Sequence, residues 1–412
     1  MQSRVSPPSS MSSSQNNCVL PKDMIMEILS RLSVNDLMRC KRVSKGWKHL
    51  ISDSIFVKLH LQRSSKNTHM LLTFAVHSSE TRRDYALVCP VQDLLHKSSS
   101  TLQTLYHKHE HRPFNRNYSI MGVCNGLVCL LDSHIVDEFH RFFHRYWIRF
   151  VNPATRVMSE DSPHICLNPS DYKYPYLFMF GFGYDDRSDT YQVVFFDNNK
   201  NKSQKLEVRV YSLGDSCWRN TLTCDAVPTL TRFGTFVGGT LNWLAFPKSR
   251  ADDEGRESVK MNELEIFCYD LKKERCSYFS MPDGTLEVYR LGPKLEVLKG
   301  CLCLSHHYKG EFFVWLKREF NDEKSWSKLL TFNYGCDIQY QSLLPFIPSC
   351  HMEILYVNEN DEVVLLARTD NADFFRYNIR ENRIDLHEFY DDTKMYLFSY
   401  DYVQSLVLPY KN

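Results

Sequence analysis

LPKDMIMEILSRLSVNDLMRCKRVSKGWKHL, residues 20–50, is patterned for helix, and helical periodicity largely disappears after residue 64. Ile25, Ile28, Leu29 and Leu32 recur at i, i+3, i+4 and i+7, one apolar helical stripe. Leu20-Pro21 opens that helix with a proline whose missing N–H is not needed there, and Asp23 lies near the positive helix end. Ser33, three residues before Asp36, resembles a capping box and starts a second helix with Val34, Leu37 and Met38 on one face. Ser44 repeats the cap signal, and Trp47, Leu50 and Ile51 form a third stripe. A unit of roughly thirty residues cannot enclose a core alone, so a protein partner is expected to bury its excess apolar surface.

Working outward, residues 1–17 are rich in Ser and Pro and read as a disordered tail. Residues 53–63 extend the helical part by a turn or two, with Phe56, Leu59 and His60 on one side, and SSKN at 64–67 breaks it. The expected organisation is a tail over 1–17, a three-helix domain over 18–63 and an all-β domain over 64–412, an α+β chain that is mainly β. LEVRVYSL (206–213), LEIFCYDL (264–271) and KGCLCLSH (299–306) alternate as strands, and Asn152-Pro153, Tyr184-Asp185-Asp186, Leu213-Gly214-Asp215 and Pro282-Asp283-Gly284 mark turns. Strands without intervening helices exclude a βαβ fold.

These strands fall into five units. They begin at Cys124-Asn125-Gly126, Phe182-Gly183-Tyr184-Asp185, Gly238-Gly239-Thr240, Lys299-Gly300-Cys301 and Glu362-Val363. Their spacing is near the period of about 50 typical of kelch-type propeller blades. The strand after each small-residue turn is expected to be the inner one, with glycine needed where blades converge. Strand-like stretches remain at both ends, 69–76 and 84–91 against 396–410. The economical arrangement is a propeller of about six blades, closed by pairing the strand around Val403–Leu408 beside the strands after Met70.

The N-terminal string resembles the F-box, the motif by which ubiquitin-ligase substrate receptors dock onto a Skp-type adaptor. Its pattern is met by Leu20-Pro21, Asp23, Glu27-Ile28-Leu29, Arg31-Leu32, Val43, Lys45, Trp47 and Leu50-Ile51, with Ser33 where the family often has proline. NPATR (152–156), GYDDRSDTYQVV (183–194), EVRVYSL (207–213) with Trp218, GGTLNWLA (238–245) and CYDLKKERCSYFSMP (268–282) resemble the F-box-associated, kelch-like domain of plant F-box proteins; Gln192 replaces the usual lysine. The resemblance implies a substrate receptor whose adaptor-binding residues are Leu20, Pro21, Ile25, Ile28, Leu29, Leu32, Leu37, Val43 and Trp47. Leu29, Leu32 and Trp47 are expected to be at least partly exposed in the free chain. Through the adaptor it would reach a cullin and a RING subunit, and through the propeller a protein substrate.

Composition is compatible with this. Apolar residues at 43% and charged residues at 24% are ordinary for a globular protein, and with a net charge of +1 there is no basic block to suggest nucleic acid. No apolar run is long enough to span a membrane, and no signal-peptide core precedes the helices. The 14 cysteines are unevenly spread, with Cys129, Cys268, Cys301 and Cys303 in apolar runs. They read as buried free thiols of a reducing compartment, cytoplasmic and/or nuclear.

The motifs of enzymes are missing: no GxSxG, P-loop, HExxH or complete GxGxxG is found, and no cofactor is expected. His107, His109 and His111, with His134, His140 and His144 further on, are read as a solvated loop and not as metal ligands. Cys124 with Cys129, and Cys301 with Cys303, are read as core thiols. Asp185, Asp270 and Tyr269 could converge in a propeller enzyme, but turn-forming Asp is the simpler reading. Residues 134–147 and 171–178 mix aromatic and basic side chains, so Arg141, His144, Arg145, Tyr172 and Tyr174 are candidate substrate contacts on loops. The competing reading is an adaptor-independent scaffold, or a carbohydrate- or ligand-binding propeller with no ligase role.

Overall fold

The computed structural model describes residues 20–64, 68–77, 82–96, 118–138, 141–167, 179–197, 205–225, 231–246, 258–282, 286–289, 292–320, 322, 325–333, 352–368, 373–387 and 394–410. The tail expected over 1–17, His107, His109, His111, His140, Tyr172 and Tyr174 lie outside the described residues. The chain divides into two compact units, Met1–Arg63 and Ser64–Asn412.

Among its described residues the first unit holds α1 (Lys22–Leu29), α2 (Val34–Cys40), α3 (Lys45–Ser52) and α4 (Ser54–Arg63), the last on the helical extension expected over 53–63. Both caps form as the sequence predicts. Ser33 Oγ accepts the Asp36 N–H at 3.2 Å and donates to Asp36 Oδ2, and Ser44 Oγ accepts the Trp47 N–H at 3.1 Å. The fourth helix forms because Asp53 accepts the Ile55 N–H at 2.9 Å and Phe56 and His60 are buried beneath it. His60 Nε2 closes the unit on the Leu32 carbonyl at 3.0 Å.

In the second unit, five four-stranded blades follow in chain order. Blade one is Ser119–Cys124, Leu127–Glu138, Arg141–Asn152 and Val157–Met158, with Ile165–Leu167 also paired to its third strand. Blade two is Met179–Asp185, Thr190–Asp197, Lys205–Ser212 and Arg219–Asp225; blade three is Phe233–Val237, Thr240–Ala245, Glu265–Asp270 and Arg275–Ser280. Blade four is Lys294–Leu298, Cys301–Tyr308, Glu311–Lys317 and Trp326–Asn333; blade five is Met352–Val357, Val363–Arg368, Asp373–Asn378 and Arg383–His387. Among the described residues blade six has three strands, Lys394–Tyr402 flanked by His69–His77 and then Arg82–Pro90, after which comes α5 (Val91–His96).

The inner strand of each four-stranded blade is its first, so the expectation that it follows the glycine turn is corrected. First strands meet around the axis. Phe233 and Gly234 run parallel beside Phe180 and Gly181, joining blades two and three. Thr235 Oγ1 donates to the Leu295 carbonyl at 2.9 Å, Lys294 reaches Glu353 at 3.0 Å, and the Tyr400 hydroxyl donates to the Ile120 carbonyl at 3.1 Å. Asn125-Gly126 and Lys299-Gly300 have positive φ at both positions, so they are tight hairpin turns from first to second strand. Glycine serves the turn there, not crowding at the axis.

Closure joins the two ends of the domain, as the strand-like termini predict, but through a different stretch. Lys394–Tyr402 pairs antiparallel with His69–His77, Tyr402 opposite His69. Residues 403–408 are not a strand; they run on beneath blade one. Between blades, the Trp218 indole N–H donates to the Pro163 carbonyl at 2.8 Å and that of Trp326 to Ser280 at 3.2 Å.

One buried group makes stability depend on pH. His306 is 1% exposed, stacks on Phe313 at 4.7 Å, and is pushed down to about 4 by burial and by the nearby Lys328 cation. An imidazole with a lowered folded pKa contributes stability that is full above its unfolded value, near 6.5, and is lost as pH falls toward 4. The expected loss is about 3 kcal/mol across that window. Urea midpoints of the wild type and His306→Gln should therefore converge on acidification; parallel curves would remove His306 as the cause.

Candidate functional site

The helical unit turns part of its apolar surface outward. Leu20, Met24, Ile28, Val43 and Ile55 are exposed, Val43 by 67% and Ile28 by 51%, and Pro21 is exposed beside them. Ile25, Leu32 and Trp47 are half-buried. Leu29 at 3% and Leu37 at 0% are buried with Val34, Ile51 and Phe56, so the expected exposure of Leu29 is corrected. Both leucines form the small core and support the outer surface from beneath, because four short helices need those positions to pack at all. Met24 and Ile55 were missed by sequence reasoning; a hydrophobic residue off the stripe was the available signal.

A shell of ion pairs holds this surface. Glu27 accepts from Arg31 Nη2 at 2.7 Å and from Arg63 Nη2 at 2.6 Å, and these hydrogen bonds keep its carboxyl below the usual range. Arg63 also donates to Ser30 Oγ, so α1 and α4 are tied together beside the exposed Ile28.

In the propeller, residues 134–138 and 141–147 are strand, not loop. The two stretches pair antiparallel, with His134 facing Arg145 and Ile135 facing His144. The alternation of β-favouring side chains continues the strands, and His134 stacks on Trp147 at 5.3 Å. Alternation separates the candidates. His144 stacks on Tyr146 at 6.1 Å, and Tyr146 packs on Phe180 of blade two at 6.1 Å. Arg145, one residue out of phase, belongs to the other face. Arg141 begins the strand, and its side chain lies outside those described.

The opposite ends of the strands form tight turns. Asp185 accepts from the Arg187 N–H and Ser188 hydroxyl, and Asp270 from the Lys272 and Lys273 N–H groups, while Tyr269 is buried. These acids shape turns. Among the described residues no cluster of three or more His, Cys, Asp or Glu could hold a metal. Cys89, Cys124, Cys129, Cys268 and Cys303 are buried free thiols, and Cys301 is half-buried. Where blades four, five and six meet, burial and the adjacent Glu353 push the Glu296 carboxyl well up. Burial of Lys294 is outweighed by Glu353 and Glu296, so its ammonium is held.

The Asn of NPATR has a role no local reading supplies. Asn152 is fully buried; its Nδ2 donates to the Ser405 and Val407 carbonyls at 3.0 and 2.8 Å, and its Oδ1 accepts the Ala154 and Thr155 N–H groups. Gly126 completes this seat: a Cβ there would lie 2.4 Å from Ser405 Oγ. Asn152→Ala is expected to cost about 3 kcal/mol or more, since two buried carbonyls and two half-buried N–H groups lose their partner. A urea midpoint lowered at unchanged slope would show it; an unchanged midpoint would contradict the latch.

These two units match two families in sequence. The F-box domain family matches residues 18–59, and the F-box associated beta propeller domain family matches residues 70–408. The chain belongs to the F-box proteins that carry an F-box-associated β-propeller domain. Among its relatives, an F-box/kelch-repeat protein of Arabidopsis thaliana is 28% identical over 76% of this chain and 79% of its own length. The F-box protein CPR1 of the same plant is 26% identical over 76% of this chain and 72% of its own. Of solved structures, the β-propeller domain of the Trilobed protease from Pyrococcus furiosus aligns over 80% of this chain and 95% of its own, with TM-score 0.34 and 8% identity. No helix among the described residues is long and apolar enough to cross a membrane.

Proposed function

We propose that the chain is the substrate-recognition subunit of an SCF-type ubiquitin ligase. The observation that carries this reading is the F-box unit with Leu20, Pro21, Ile28 and Val43 turned to solvent, joined in one chain to a closed propeller. The exposed residues, with Ile25, Leu32 and Trp47 at their edge, would be covered by a Skp-type adaptor, and through it by a cullin and its RING subunit. The receptor itself does no bond chemistry. It holds substrate lysines near the ubiquitin thioester and raises their effective concentration there. Such a complex works in the cytoplasm, the nucleus or both.

The substrate is placed on one face of the propeller. The short turns at Asn125-Gly126, 153–156, 186–189, Gly238-Gly239, 271–274 and Lys299-Gly300 share a face with the latched tail. Longer connections leave the opposite strand ends, at Leu167, Asp197, Asp225, Ala245 and Asn333. Recognition by propellers is a property of such connections, because rigid strands fix where they start while their length is free to vary. His144 and Tyr146 lie toward that end of blade one. Purification of the tagged chain from source tissue with the proteasome inhibited should recover adaptor, cullin and RING subunits with a set of ubiquitinated proteins. Recovery of the propeller without any adaptor would support an adaptor-independent scaffold instead.

A further inference from the structure

Arg232 precedes the inner strand of blade three, at the strand end from which the longer connections leave. Its carbonyl accepts the Phe180 N–H at 2.9 Å. Its side chain is half-buried, with the guanidinium carbon 5.7 Å from the Tyr146 ring centre and 5.1 Å from that of Phe233. Nε is shut off from solvent with no hydrogen-bond acceptor. Among the described residues no carboxylate pairs with this guanidinium, whereas the half-buried Arg149, Arg209 and Arg219 pair with Asp161, Asp197 and Glu274. Burial holds its pKa below the ordinary arginine value. An arginine held against aromatic rings, with a buried Nε that has no acceptor, is poorly placed for stability and well placed to receive an oxyanion on its planar fork.

We infer that Arg232, with Tyr146 beside it, is the anchor point for an acidic side chain of the substrate protein, a carboxylate or phosphate group taken in by the guanidinium fork. The inference rests on the propeller being the substrate receptor and names the chemistry it selects. The ring of Tyr146 orients the fork from one side, and His144 stacks on Tyr146 in turn. A neutral amide of the same shape offers one acceptor oxygen and no charge, so its bond to the fork is weaker than that of a two-oxygen anion.

The test uses the full chain and three immobilised peptide pools of random flanking sequence, whose central residue is glutamate, phosphoserine or glutamine. The wild type is expected to retain the glutamate pool, the phosphoserine pool or both about tenfold more than the glutamine pool, one charge-assisted hydrogen bond's worth. Which acidic pool is retained tells carboxylate from phosphate. Arg232→Gln should erase the preference and Arg232→Lys should keep part of it. Thermal unfolding is a second readout: Arg232→Met, which removes an unpartnered cation and keeps its volume, should raise Tm or leave it unchanged. Equal or no retention of the three pools by the wild type overturns the inference. So does a preference that survives in Arg232→Gln, or a Tm lowered by several degrees in Arg232→Met, which would make the arginine structural. Adaptor binding by the helical unit is read separately, so failure here leaves the ligase reading standing.

Discussion

A chain ending at residue 395 is expected to lose its whole propeller, not to lose a tail. Removing 396–412 strips the inner strand from blade six and bares His69–His77 as an open edge. It also removes Tyr402, Leu406 and Val407, all buried, at about 1.5–3 kcal/mol each. Asn152 would lose two acceptors, and Thr73 Oγ1 its partners at Phe398. The sum reaches the range of about 5–15 kcal/mol that holds an entire domain together. Circular dichroism of the truncated chain should show loss of native β structure at ambient temperature. A truncated chain that melts cooperatively near the wild-type temperature would show that the ring does not depend on this strand.

The second large effect is on the helical unit, and it depends on which way each residue points. Ile28→Asp and Val43→Asp each place a charge on an exposed apolar surface, so the fold is expected to keep its Tm. If the surface is an adaptor interface, each removes an anchor worth about 2 kcal/mol or more, a loss of at least about 30-fold in affinity. Leu29→Asp and Leu37→Asp are expected to behave differently. They bury a carboxylate among Val34, Ile51 and Phe56 and unfold the unit, so binding vanishes for a reason unrelated to contact. Binding and melting measured on the same four variants separate the cases. An Ile28→Asp chain that binds as tightly as wild type would remove this surface as the interface.

The contrast between Ile28 and Leu29 shows where reading the sequence stops. Their stripe predicts a helix correctly, and both Ser33 and Ser44 cap where their spacing requires. Yet adjacent positions sit about 100° apart on a helix, and a unit this small is apolar on more than one side. Composition then cannot say which side faces the core. In the propeller, repeated turns and alternating strands were legible because each is local. Order within a blade was not: first and second strands are both apolar, and the difference lies in which one meets the axis. Asn152 reads as a turn residue from its own neighbourhood, while its main partners lie at Ser405 and Val407, beyond any local pattern. The same distance explains why 403–408, with its apolar spacing, is a latched tail and 394–402 the closing strand. Arg232 carries no signal at all in Thr-Arg-Phe; only the lack of an acceptor around its folded position sets it apart.

One titration tests the central claim most directly. The purified full chain, titrated calorimetrically with a purified Skp-type adaptor, is predicted to give saturable one-to-one binding. That binding should be lost in the folded Ile28→Asp chain and kept in Arg232→Gln. No heat of binding with a wild-type chain shown to be folded would contradict the account, whatever the propeller retains.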